Sequence, residues 1–156
     1  MRRSDREVVD VTKINEIIKK CKCCRLGFND EGKVYIVPLN FGFSVEDGKR
    51  VFYFHSTKQG HKIDLIKRSP AIGFEMDTSY ALLEADSACN FSAGYQSIIG
   101  NGNVEIIEES SEKQHALHEI MIHNTGKKNR DFNQAMLDSV CVFKLIVEEL
   151  SCKENK

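Results

Sequence analysis

A chain of 156 residues with 41% apolar and 29% charged residues has the length and balance of one water-soluble domain, large enough to hold a core without disulfides or metal. With 22 Lys and Arg against 23 Asp and Glu the net charge is −1, so no global field attracts nucleic acid or an anionic membrane. No run approaches the roughly 20 apolar residues that span a bilayer. The segment Met1-Arg2-Arg3-Ser4-Asp5-Arg6-Glu7 has charge but no apolar run behind it, which is not a signal peptide, and a cytoplasmic location is expected.

Residues 1–10 are aperiodic and read as an arm whose order depends on docking. Ile14, Ile17, Ile18 and Cys21 then share one face of a predicted helix, with Asp10 or Thr12 as its N-cap. From Arg25 the period becomes two. Leu26 and Phe28 lead to the turn Asn29-Asp30-Glu31-Gly32 and a second strand, which is expected to run on through Phe41-Gly42-Phe43 to a turn at Glu46-Asp47-Gly48. Val51 to Ser56 returns as a third strand, apolar on both faces as in a closed barrel. A short helix over Ile63 to Lys67 stops at Ser69-Pro70, and Ala71 to Met76 is a fourth strand.

Residues 77–94 show no clean period and read as loop. Tyr95 to Ile107 is a long strand, in which Gly100 and Gly102 mark a bulge or a close backbone approach. A helix follows over Glu112 to Asn124 with Leu117, Ile120, Met121 and Asn124 on one face, then a shorter one near Phe132, Ala135 and Met136. Val140 to Leu150 is the last strand, and 151–156 a tail. The predicted fold class is mainly β: one domain over residues 1–156, a barrel of about six strands with peripheral α-helices, because the turns are too short for parallel crossovers.

Among the six cysteines, Cys21-Lys22-Cys23-Cys24 contains a Cys-x-x-Cys spacing. A zinc site needs a second pair, and a redox pair belongs at a helix start rather than a helix end, so a packing role is expected and no metal. His115, His118 and His123 lie along one helix without a matching ligand set and are expected at the surface.

Nucleophile elbows, phosphate loops and dinucleotide fingerprints are absent. What remains is a localised set. Pro38 interrupts a strand-like run, which fits either a solvent-facing edge or a site where the freed backbone of Val37, Pro38, Leu39 and Asn40 meets a planar polar ring. His55-Ser56 ends a strand and Gly60-His61-Lys62 opens a helix, a geometry suited to an anion. His55 fits a strand-end histidine satisfied by backbone, or a hydrogen-bond donor beside a reducible group.

Arg25-Leu26-Gly27, Val37 to Gly42, Phe52 to Ser56, Gly60 to Ile66 and Tyr95 to Gly102, in this order and spacing, resemble the successive signatures of the nitroimidazole-resistance (Nim) group of the pyridoxamine-phosphate oxidase superfamily. The resemblance runs from about residue 3 to Glu149. It implies a Greek-key split β-barrel, a homodimer, and FMN in clefts between the subunits. Val37, Pro38, Leu39 and Asn40 would line the isoalloxazine, His55 and Ser56 would sit near the ring and ribityl chain, His61 and Lys62 at the phosphate, and Ser97 on the strand beneath.

His61 stands where relatives often carry Arg, which has a permanent bidentate fork, and Gln96 where a basic residue is common. The implied function is an FMN-dependent oxidoreductase acting on a small aromatic or nitro compound, with the flavin carrying the electrons. The alternative is a barrel that holds flavin or heme for storage or sensing. A true pyridoxamine-phosphate oxidase is not expected, because Cys152-Lys153-Glu154-Asn155-Lys156 lacks an Arg-rich substrate grip.

Overall fold

The computed structural model describes residues 4–127 and 131–156; Met1-Arg2-Arg3, read as part of the arm, lie outside it. The arm is tied down by β1 (Glu7–Val8), whose Val8 pairs with Cys152 near the chain's other end. Helix α1 (Val11–Lys20) begins at Asp10, whose side chain accepts from the Lys13 N–H at 2.7 Å. It buries Ile14, Ile17 and Ile18 as the period requires.

The predicted hairpin is β2 (Cys24–Asp30) and β3 (Lys33–Leu39), with Asn29 accepting from the Gly32 N–H across the turn. Here the expected continuous strand divides. Asn40 and Phe41 separate β3 from β4 (Gly42–Glu46), which pairs only with β5 (Lys49–Ser56). Next come α2 (His61–Arg68), β6 (Ala71–Leu83), β7 (Ser92–Ile107), α3 (Ser110–Thr125), α4 (Gln134–Ser139) and β8 (Cys141–Asn155).

The strand order is β3-β2-β6-β7-β8-β5-β4, with every pair antiparallel and β1 added on β8. β3 and β4 stand at opposite ends of this order, yet two residues join them. A two-residue link reaches only about 10 Å, so the sheet must curl until its ends meet. The result is a barrel left unpaired between β3 and β4, a split barrel of eight strands rather than the six expected.

The two additional strands come from β1 and from the division of the expected second strand into β3 and β4, while two further stretches lengthen strands already expected. Residues 77–83 continue β6 past an irregularity near Ser79, which has a positive φ of 59°, and pair with β7 as far as Ser92. Residues 151–155 are no tail: Lys153, Glu154 and Asn155 pair with Ser97, Gln96 and Tyr95. Residues 77–83 bury no side chain and are held by backbone pairing, whereas 151–155 reach the core only through Cys152.

The core explains the apolar run of β5. Phe52 and Phe54 point into the barrel against Phe41, Phe74 and Phe143, while Val51 and Tyr53 lie beneath α3 with Ala116, Leu117 and Ile120. Burial on both faces was expected from closure, but a helix covers the second face. Full burial of each such side chain contributes about 1.5–3 kcal/mol. Gly100 and Gly102 mark both a bulge and a close approach. A Cβ on Gly102 would fall 2.1 Å from the Ile146 carbonyl oxygen, beside the register shift at Asn101/Gly102.

Cys21 and Cys24 are fully buried in the core, where desolvation pushes the Cys21 thiol up to about 12 and raises Cys24 as well. They are packing groups, as expected. His123 corrects the surface expectation: its ring lies 4.2 Å from that of Phe41, and Nε2 donates to the Cys21 carbonyl at 2.7 Å. Burial lowers its basicity.

Candidate functional site

The corner where β5 runs into α2 holds donors without acceptors. The Ser56 hydroxyl is buried and has no hydrogen-bond partner. Four residues on, Gly60 caps the start of α2 with a φ of 130°, one that residues with a Cβ rarely adopt, and this cap makes no side-chain hydrogen bond. The Ile63 and Asp64 N–H groups bond to the Gly60 carbonyl, leaving those of His61 and Lys62 outside the helical ladder. Lys62, half-buried, has no carboxylate partner among the described residues. A hydroxyl, a helix N-terminus and an ammonium suit an anion with several acceptor oxygens.

His61 is already engaged. Its Nε2 lies 2.7 Å from Asp30 Oδ2, and its ring meets Tyr35 edge-on at 4.8 Å. This hydrogen bond, with Arg68 nearby, holds the Asp30 carboxyl below its ordinary range. The pair ties the start of α2 to the β2–β3 turn, bringing the corner beside β3.

On β3, Val37 and Leu39 pack on the core while Pro38 faces outward. Pro38 pairs with Arg25, and among the described residues β3 has no strand on its other side, so one row of backbone groups is open along residues 37–39. The strand is a solvent-facing edge at Pro38, and its free backbone faces the split. The Asn40 side chain is committed elsewhere, donating to Asn124 Oδ1 at 3.1 Å, while Asn124 donates to the Phe41 carbonyl. Asn40 therefore locks the β3–β4 crossing to α3. Ser97 sits three strands from β3, opposite Asp77 and Lys153, and is not brought to the corner within one chain.

His55 and Ser56 flank the end of β5 from opposite faces, as strand alternation requires. His55 is exposed and lines an apolar cleft of about 300 Å³ with Leu117, Ile120, Met121, Phe132 and Met136. The helical face Leu117, Ile120, Met121 was visible in the sequence, but its meeting with Phe132 and Met136 was not. Gln96 is buried, accepting from Ser79 and donating to Glu154 at 2.6 Å, while Glu154 also binds Lys13. Its amide is held by an acid, and that partner lies in the stretch read as a tail.

The sequence profile of the pyridoxamine 5'-phosphate oxidase family matches residues 10–154. The chain belongs to that family. Among solved structures, this family member is 31% identical to a candidate 5-nitroimidazole antibiotic resistance protein from Bacteroides thetaiotaomicron, with a TM-score of 0.82 over 94% of this chain and 85% of that one. It shares its fold with a flavocytochrome from Azotobacter vinelandii (19% identity, TM-score 0.81, 100% of this chain and 72% of that one). A protein from Mycobacterium smegmatis described as FAD and heme binding has the same fold (14% identity, TM-score 0.81, covering 97% and 74%). No curated protein matches the chain. No helix among the described residues is long and apolar enough to cross a membrane.

Proposed function

We propose that this oxidase-family chain binds FMN and uses it to reduce small aromatic or nitro compounds. The observation that carries the reading is the corner formed by the unpartnered Ser56 hydroxyl, the uncapped start of α2 and Lys62. It fits a phosphate, and the open backbone edge at Val37 to Leu39 offers partners for a polar ring. Bound there, the flavin would supply the electron transfer. The chain's own groups have narrower tasks: Lys62 and the α2 N–H groups bind the phosphate, Ser56 donates to it or to the adjoining chain, and β3 orients the ring. His55 stands at the mouth of an apolar cleft able to receive a small aromatic molecule and to donate a hydrogen bond or proton to it.

Lys62→Ala is expected to weaken FMN affinity by about 1.5–3 kcal/mol, roughly 10- to 150-fold, the worth of a charge-assisted hydrogen bond. Titration of the purified protein, followed by flavin fluorescence quenching, measures it. Unchanged affinity removes Lys62 from the site and with it the anion reading of the corner.

A homodimer belongs to the same proposal. The outer sheet face carries Val34 (76% exposed), Ile36 (60%) and Ile99 (54%), and glycines 27 and 73 leave an apolar groove between them. Ser97 lies on this face and would reach a flavin only across such an interface. Sedimentation at micromolar concentration is expected to give twice 17.7 kDa, and a monomer would exclude a shared cleft.

One observation favours a second reading, a heme-holding barrel. His55 is an exposed imidazole against an apolar wall that includes Met121, Phe132 and Met136. Absorbance of the freshly purified protein separates the two: flavin bands support the first and a Soret band the second.

A further inference from the structure

Three lysines from three parts of the chain line one small cleft: Lys58 in the loop between β5 and α2, Lys67 in the last turn of α2, and Lys113 near the start of α3. Lys58 and Lys67 are exposed and Lys113 is half-buried. Glu108, just past the end of β7, supplies a carboxylate to the same lining, so three positive charges against one negative leave +2 in a chain whose net charge is −1. None of these four side chains is in an ion pair among the described residues. Like charges gathered without counter-charges repel one another, and an anion between them removes that cost.

The wall behind the lysines is apolar. Ile63, one helical turn before Lys67, and Ile107 are buried there, and Cys141 completes the wall at the start of β8. Burial raises the Cys141 thiol and Glu108 acts in the same direction, while Lys113, Lys67 and Lys58 all act against them. The three ammoniums thus act together on one spot. The cleft measures about 210 Å³, below the roughly 300–1,000 Å³ of a pocket for a drug-sized ligand, which limits its occupant to about one ring with its substituents. It shares no lining residue with the corner of Ser56 and Lys62, so what it binds does not depend on FMN there.

We infer that this cleft binds a small aromatic dicarboxylate, its two carboxylates among Lys58, Lys67 and Lys113 and its ring against Ile63 and Ile107. Two negative charges match the local +2, and ammoniums arriving from three sides suit two separated carboxylates. A phosphate is the poorer match, because it favours open backbone N–H groups of the kind found at the start of α2. The start of α3 offers fewer of these, since the Glu109 side chain already accepts from the Glu112 N–H at 2.8 Å.

Calorimetric titration of the full-length protein at low ionic strength against isophthalate, benzoate, succinate and phenyl phosphate tests this. Isophthalate should bind roughly tenfold or more tightly than benzoate, the worth of one further charge-assisted hydrogen bond, and by a similar factor over succinate, which has no ring to bury. Added salt should weaken it. Lys67→Gln and Lys113→Gln should each lower isophthalate affinity, and the double variant should lower it roughly tenfold or more while melting with the parent. Lys62→Ala should bind isophthalate as the parent does, which separates this cleft from the flavin corner whether or not FMN binds there.

Isophthalate bound equally by the parent and the double variant, or by none of the proteins at millimolar concentration, overturns the inference. Phenyl phosphate bound more tightly than isophthalate overturns the choice of a dicarboxylate, and loss of isophthalate binding in Lys62→Ala overturns the location by moving the anion to the start of α2.

Discussion

Gly42→Ala is expected to destabilise the protein by about 3 kcal/mol or more, lowering the melting temperature by about 6–12 °C for a domain of this size. A Cβ at Gly42 would lie 2.5 Å from the Ile120 nitrogen and 2.6 Å from the Glu119 carbonyl carbon, both backbone atoms of α3. No side-chain rotation relieves such a contact. Either β4 leaves β5 or α3 lifts away, and lifting it breaks the Asn124 bond to the Phe41 carbonyl and exposes Tyr53, Leu117 and Ile120. Gly27→Ala is the control. Its nearest foreign atom, the Gly73 carbonyl oxygen, is 3.8 Å away, so a change within about 0.5 kcal/mol is expected. Thermal unfolding of both variants measures the contrast, and a Gly42→Ala protein that melts with the parent would mean that α3 does not press on β4.

His55→Gln is expected to leave FMN affinity nearly intact while lowering turnover of a nitroaromatic substrate at least tenfold, since a positioned acid contributes about 10²–10⁴-fold. Two features separate binding from rate. His55 faces the Leu117–Phe132 cleft, and Ser56, on the other face of the strand, belongs to the anion corner. Glutamine keeps a hydrogen-bond donor of similar reach but cannot deliver a proton at neutral pH. Steady-state rates beside a flavin titration read both quantities. Loss of FMN and rate together would make His55 a cofactor ligand, no change in either would make it structural, and loss of a Soret band would favour the heme reading.

Much of the chain is governed by local physics and was legible in order. The α1 face of Ile14, Ile17 and Ile18, the Asp10 cap, the Asn29–Gly32 turn and the β5 run each depend on periodicity or turn chemistry within a dozen residues. Gly100 and Gly102 were legible for the same reason, since an isolated glycine in a strand signals close backbone approach. The segments carrying the family resemblance, His55-Ser56 and Gly60-His61-Lys62 among them, also sit at the strand end and helix start where the sequence placed them.

Tertiary structure decided what depends on distant partners. Pro38 marks an interruption within residues 33–43, but nothing local places the crossing from β3 to β4 at Asn40 and Phe41. Only the locking of Asn40 and Phe41 by Asn124, more than 80 residues away, makes the chain cross the split there. Residues 77–83 and 151–155 become strands through backbone pairing with distant partners, with Cys152 the one side chain of these stretches buried in the core. The state of each site residue is non-local too: Asp30 takes one nitrogen of His61, while the Ser56 hydroxyl is buried without an acceptor. A sequence names donors and acceptors, but whether a donor is satisfied depends on which acceptor the folded chain brings within 3 Å of it.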